Sequence, residues 1–438
     1  MRLTQLVIKV KGRYFEGSIF RKNASLLLAG TAFSLVITTL VMPVLSRLYT
    51  PEQFGNLALF TSITTIATII ATGQYELAIT LPKKKASSLN VGALSLLLTL
   101  LVSLMTFFVV MIFKTEVSRF IPASQFTLWL YFVPLSIFMA GLNQILYYWV
   151  VYKRSFKRLA LNSVYKAGFV SVSQVIYFYV GVFKEAGLLI GQVVGQIIAV
   201  IFLLKPVYKE EKHDLFLINK TTVKSEALKY QRFPKYSLPA SLINNIANQL
   251  PVILLSNFFG FAVVGQYALT QRILSVPGAL ISQSILAVFK ERASRDYRET
   301  NSCRGIYIKT FKALLKLSII PFAILFIATP KLIPFIFGPE WITAGVYAQI
   351  LTIMFFFRFI ASPLSYVLIV AEKQQVNLFI QISLLTMATL SLFTGKYVGS
   401  AVVGLTLFSI GYSVLYLFML IVSYKFSINN NLTRYSPK

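Results

Sequence analysis

Long apolar runs recur along this chain, and they leave it few folds. Residues 24–45 and 54–80 are the first two, separated by the polar corner TPEQFG. Each is about 20 residues or more, enough to cross a hydrocarbon core of roughly 30 Å at ~1.5 Å per residue. Lipid offers no partner to a free backbone N–H or C=O, so such segments cross as helices. The corner reads as a helix restart. Thr50 caps, Pro51 suits the first helical position and Gln53 completes a capping box. Lys83, Lys84 and Lys85 close the far end, and nothing comparable stands at the corner.

The same plan repeats. Twelve spans are expected, at 24–45, 54–80, 89–113, 126–151, 159–182, 186–207, 237–258, 264–288, 306–329, 342–370, 374–395 and 399–423. The chain is 56% apolar and only 13% charged, about half the charge of a soluble domain. It reads as an all-α polytopic membrane protein with no cleavable signal peptide. Residues 1–22 place Leu3, Leu6, Val7, Val10 and Tyr14 at helical spacing among basic residues, which fits an amphipathic segment on an anionic leaflet.

A net charge of +28 would suggest nucleic acid in a soluble protein. Its distribution argues otherwise. Arg47, Lys114, Arg119, Lys184, Lys331 and Lys396 are the basic residues of the odd-numbered connections, and Lys166, Arg272 and Arg358 lie inside spans. The remaining 33 of the 42 Lys and Arg fall on the even side, in an even-numbered connection, at a terminus, or in the span ends that border such a connection, as Lys205, Lys309, Lys312 and Lys316 do. That asymmetry puts both termini in the cytoplasm and explains the charge without nucleic acid. One cysteine, Cys303, and one histidine, His213, build neither a disulfide framework nor a zinc site. His213 lies in the charged loop KEEKHD, which excludes a histidine-based triad within the membrane. No GxxxxGK[ST] motif is present.

The longest polar stretch, 208–236, follows the sixth span and divides the chain into lobes at 23–207 and 237–424, with a tail at 425–438. At an offset of 210, Ser46, Gly55, Ala58 and Leu59 match Ser256, Gly265, Ala268 and Leu269. Six spans per half give both halves one orientation, with a pseudo-twofold along the membrane normal and a central site near the midplane.

A charge near the bilayer centre costs at least ~2.5–3.5 kcal/mol, so the ionisable residues within spans face protein or water. Arg358 sits near the middle of the tenth span and Arg272 eight residues into the eighth. Both are candidates to hold an anionic headgroup, and a structural ion pair or snorkelling is the competing reading. Lys166 lies near enough to the inner surface to snorkel. Glu76 is the single acid within a span and the candidate for coupling to a cation; an interfacial hydrogen bond or a pair with nearby lysines competes. The seventh span carries Ser241, Asn244, Asn245, Asn248 and Gln249, with the first four on one face. Amides on a wet face suit sugar hydroxyls, and the alternative is hydrogen bonding between helices.

Three stretches carry a family likeness: PVLSRLYTPEQFGNLAL with YELAITLPKK, YYWVVYKRSFKRLALNSV, and FIFGPEWITAG. With them the chain resembles, over essentially its whole length, the bacterial polysaccharide repeat-unit (Wzx-type, O-antigen) flippases. These belong to the multidrug/oligosaccharidyl-lipid/polysaccharide exporter superfamily. The resemblance implies two six-helix bundles around a central cationic cavity. It implies a cargo of oligosaccharide on undecaprenyl pyrophosphate, moved by alternating access across the inner membrane, with cation coupling and no cofactor. It also implies a polysaccharide polymerase and a chain-length regulator as partners. Arg47 falls in the matching motif and is a candidate on the exit side. A multidrug exporter of the same superfamily would carry cations and want more intramembrane acids. A lipid II-type exporter has similar physics. A membrane polymerase is usually read from a long periplasmic loop, and the long loop here is cytoplasmic. The chain therefore reads as a transporter and not as an enzyme.

Overall fold

The computed structural model describes the backbone of residues 2–120, 129–181, 186–278 and 283–428. Side chains are described from 25 onward, apart from 114–128, 182–185, 279–284, 287 and 429–438. The expectation for Lys184 lies outside these residues, as do those for the side chains of 1–22, Lys114 and Arg119.

The described residues hold helices and no strands. In chain order they are α1 (Arg2–Leu48), α2 (Pro51–Thr72), α3 (Lys85–Phe120), α4 (Phe132–Tyr152) and α5 (Phe156–Val180). Then come α6 (Gly187–Glu211), α7 (Lys220–Lys229), α8 (Leu238–Phe259), α9 (Phe261–Pro277) and α10 (Gln283–Thr300). The last are α11 (Arg304–Phe337), α12 (Ile342–Leu364), α13 (Val367–Val370), α14 (Gln374–Val398) and α15 (Ala401–Ser427). Ten of the described helical segments are long and apolar enough to cross a membrane. Of the two other expected spans, the one at 159–182 lies on α5, where Lys157, Arg158, Asn162 and Lys166 dilute the apolar character, and the one at 264–288 includes residues outside the described ones. Outward-facing Leu40, Met105, Ile112, Ile320, Ile327 and Phe335 are each at least 66% exposed, a surface suited to acyl chains. The protein is a multi-pass membrane protein. Residues 2–22 of the basic segment and the first span form one unbroken helix.

The chain forms two compact units, residues 1–45 with 63–243, and residues 46–62 with 244–438. In the first, α5 and α6 pack closely because Gly191 and Gly195 let the backbones approach, and Gln174 donates to the Leu188 carbonyl at 3.0 Å. Packing and such hydrogen bonds drive association here, since lipid is as apolar as leucine. At one end Glu211, 2% exposed, pairs with Lys85 at 2.6 Å and Lys153 at 2.5 Å. The polar stretch 208–236 docks on the same unit. Asn90 donates to the Leu217 carbonyl at 3.0 Å and accepts from the Asn219 amide at 3.0 Å, while the Tyr75 hydroxyl donates to the Ala227 carbonyl at 3.1 Å.

The second unit contains the polar corner. The Thr50 amide donates to Gln53 Oε1 at 2.9 Å and the Gln53 amide to Thr50 Oγ1 at 3.4 Å, the reciprocal pair expected from the residues. The corner is fastened to the segment between α11 and α12. Trp341 Nε1 donates to the Ser46 carbonyl at 3.0 Å, Ser46 Oγ donates to the Phe337 carbonyl at 2.9 Å, and Phe54 meets the Trp341 ring edge-on at 5.0 Å. Two of the family-like stretches thus act as one structural joint. The matched glycines make another. A Cβ on Gly55 would lie 1.9 Å from the Phe261 carbonyl oxygen, and one on Gly265 would lie 1.8 Å from that of Pro51. Pro51 and Phe261 are themselves related by the offset of 210, so α2 and α9 cross in a locally twofold contact.

Cys303 is 1% exposed, and its amide donates to the Ser427 carbonyl. Burial, reinforced by the nearby Asp296 charge, pushes its thiol up to about 11. The thiol is therefore protonated at neutral pH, and the thiolate is the reactive form. Maleimide at pH 7.5 should label the folded protein far more slowly than protein unfolded in detergent; equal labelling would contradict this burial.

Candidate functional site

The site begins with how α9 and α12 are held. Gln266 on α9 donates to the Glu340 carbonyl at 2.6 Å and accepts from the Ala344 amide at 2.8 Å, satisfying an orphan donor at the start of α12. One turn further, Thr270 Oγ1 donates to the Ala344 carbonyl at 3.0 Å. Below this anchor α9 carries Arg272 and α12 carries Arg358. Both line one cavity of about 540 Å³ in the second unit. That volume is in the usual range for small-ligand sites, ~300–1,000 Å³.

The cavity lining contains both arginines and no carboxylate. Among the described residues neither arginine forms a salt bridge. Arg358 faces the open cavity, with its guanidinium carbon 5.6 Å from the centre of the Phe355 ring. Phe322 and Phe359 continue this apolar wall. Two unneutralised guanidiniums beside low-dielectric rings attract an anion much more strongly than the same groups in water.

The lining also carries polar, uncharged groups, Asn248, Gln249, Thr61 and Ser62, with Gln271 next to Arg272 in the chain. Ser62 Oγ lies 2.8 Å from Gln249 Oε1, and Gln271 Nε2 donates to the Tyr267 hydroxyl. The repeat organises this lining as well: Ala58, Thr61 and Ser62 occupy the positions matching Ala268, Gln271 and Arg272, and all six line the cavity.

The lining takes Arg272, Arg358 and Asn248 from the expected residues, and leaves out Arg47, Asn244 and Asn245. Arg47 spends its guanidinium on the Ile336 carbonyl at 3.4 Å. Asn244 receives the Asn248 amide at Oδ1 and at its carbonyl, at 3.0 and 2.8 Å. Ser241 belongs to the first unit and donates to Gln74 Oε1 at 3.1 Å. Gln271, Thr61 and Ser62 were not singled out from the sequence. Proximity to an intramembrane arginine could have flagged Gln271; the α2 hydroxyls carried no signal until the helices were placed.

Glu76 lies in the first unit, apart from this lining. Helix α2 stops at Thr72, Gly73 and Gln74 both take φ 60, and a 3-10 segment (Tyr75–Thr80) follows. A left-handed glutamine is an uncommon backbone choice. Glu76 is 1% exposed; Gln74 Nε2 reaches its Oε1 at 3.5 Å, and Oε2 has no hydrogen-bond partner among the described residues.

Known proteins of similar sequence and fold agree with this architecture. The chain is 23% identical over 194 residues to the teichuronic acid biosynthesis protein TuaB of Bacillus subtilis (strain 168), covering 44% of this chain and 39% of that relative's length. Its fold is similar to the lipid II flippase MurJ in an inward closed conformation, with a TM-score of 0.71, 13% identity and coverage of 94% of each chain. It is also similar to an inward-facing multidrug resistance MATE family transporter of the MOP superfamily, with a TM-score of 0.70, 14% identity and coverage of 94% and 96%. Residues 44–346 match the family model described as polysaccharide biosynthesis protein. This chain, with its span-length helices and its doubly cationic cavity, belongs to that family of polysaccharide biosynthesis proteins, which places it in the inner membrane of bacteria.

Proposed function

We propose that this protein flips undecaprenyl-pyrophosphate-linked oligosaccharide repeat units from the cytoplasmic to the periplasmic leaflet by alternating access, for O-antigen, capsule or exopolysaccharide synthesis. The carrying observation is the pairing of Arg272 and Arg358 in one cavity without a carboxylate. Pyrophosphate is acceptor-only and multiply charged, and guanidinium is a donor-only fork that stays charged in apolar surroundings. A cavity for a cationic drug would want acids where these arginines stand. In this reading the chain is two six-helix lobes with both termini in the cytoplasm, working beside a polymerase and a chain-length regulator.

A cell lacking the protein should lose surface polysaccharide and accumulate lipid-linked repeat units in the cytoplasmic leaflet, and the wild-type gene should reverse both. Normal surface polymer without the gene would refute the reading.

We place the coupling ion at Glu76, on the support of its burial and its unpartnered oxygen. Glu76→Gln should then weaken the dependence of export on the membrane potential or the pH gradient. An unchanged dependence, measured in vesicles with imposed gradients, would move the coupling elsewhere.

A further inference from the structure

A second recess lies in the first unit, where the start of α5 meets the last turns of α6. Its volume is about 440 Å³, and Arg158, Ile198, Ile201, Phe202, Lys205 and Pro206 line it. The local sequence makes it. Pro206 stands inside α6 and has no N–H to give the Phe202 carbonyl, and a helix interrupted in this way bends. Phe202 packs against the Tyr165 ring of α5, with centroids 4.7 Å apart. Ile201 is 54% exposed, so the apolar lining continues into the surface that meets acyl chains.

The polar groups of the lining are two cations, and no carboxylate joins them. Arg158 donates to Glu210 Oε1 at 2.5 Å, and a guanidinium has further N–H groups to offer. Lys205 is exposed and forms no salt bridge among the described residues. A ligand that fits is apolar along most of its contact and anionic at one end, which is the chemistry of a phospholipid with a net negative headgroup. The charge count sets this recess apart from the cavity of the second unit. Arg158 is already balanced by Glu210, so Lys205 supplies one unneutralised charge, the match for a single phosphodiester. Arg272 and Arg358 supply two.

We propose that this recess holds one anionic phospholipid of the adjoining leaflet, its phosphate on Lys205 and Arg158 and an acyl chain along Ile198, Ile201 and Phe202. Under the orientation proposed above, that leaflet is the cytoplasmic one. Basic pockets between membrane helices hold anionic headgroups in this way, and one Lys or Arg near an anionic surface is worth about a fivefold factor in binding. The lipid touches α5 through Arg158 and α6 through Lys205, so its occupancy stabilises the folded unit.

The test uses native mass spectrometry of the detergent-purified full-length protein, with phosphatidylglycerol and phosphatidylcholine of identical acyl chains at equal concentration. The wild type should retain one phosphatidylglycerol with about a fivefold preference over phosphatidylcholine. Lys205→Gln should bring that ratio close to one, and Lys205→Arg should keep it. Ile201→Trp, which fills the recess and leaves both cations, should lower retention of phosphatidylglycerol. Lys309→Gln removes an exposed charge from the second unit and should leave the ratio unchanged, which separates a site from the overall charge of the protein. Equal retention of the two lipids by the wild type overturns the site. So does a preference that survives Lys205→Gln, or one that Lys309→Gln lowers as much. Displacement of phosphatidylglycerol by equimolar undecaprenyl phosphate would give the recess to the cargo carrier and overturn the proposal as well. None of these outcomes touches the cargo reading, which stands on Arg272 and Arg358.

Discussion

Arg358→Ala is expected to abolish surface polysaccharide while leaving the amount of protein in the membrane near wild type. Both halves of that expectation follow from what Arg358 touches. It has no salt-bridge partner among the described residues, so its removal strands no opposite charge; breaking a buried pair would cost ~3–5 kcal/mol and deplete the folded protein. Its guanidinium lies over the Phe355 ring, a cation–π interaction worth ~0.5–2 kcal/mol. Function is different. One of two guanidiniums facing the cavity disappears, and with it a fork that can bind a phosphate through two parallel hydrogen bonds. Arg358→Lys keeps the charge without the fork and should restore only part of the export. The measurement is a polysaccharide gel beside an immunoblot of membrane fractions. Normal polymer length and amount in the alanine variant would remove the anion site from this cavity.

Gly265→Leu, and equally Gly55→Leu, should deplete the folded protein itself. The Cβ of any side chain at Gly265 would sit 1.8 Å from the Pro51 carbonyl oxygen, and that oxygen is backbone, without a rotamer to turn away. The two helices must separate, which also strains the corner fastened through Ser46 and Trp341. Overpacking of this kind costs about 1–3 kcal/mol where neighbours can adjust, and more where they are backbone. A melting temperature lowered by several degrees in detergent, together with reduced membrane abundance, is the expected result. Because the two glycines share one crossing, the double variant should cost less than the sum of the singles. Additive losses, or wild-type melting in both singles, would contradict the crossing.

Much of this was legible in the residues because the bilayer makes strong demands. The corner capping box is local chemistry, so Thr50 and Gln53 announce it without help from the fold. Arg272 and Arg358 stand out because a lipid-facing charge is costly, which leaves them few places to go. The polar face of α8 was only half legible. Its amides can satisfy one another along the helix, as Asn248 does with Asn244, so polarity alone does not set the rotation of the helix. The cavity uses Asn248 from the expected face together with Gln249 and Val252, while Asn244 and Asn245 do not line it. The end of α2 at Thr72 depends on left-handed backbone at Gly73 and Gln74, only one of which is a glycine.

The crossing of α2 and α9 also bears on ancestry. Each half offers the other a glycine and receives a carbonyl in return, which is how two identical half-length chains would grip each other in a bilayer. Such a homodimer is bound to be alike on both sides of its axis, and would line its centre with a uniform wall. Within one polypeptide the matched positions are free of that constraint, and this chain carries arginine at 272 and serine at 62.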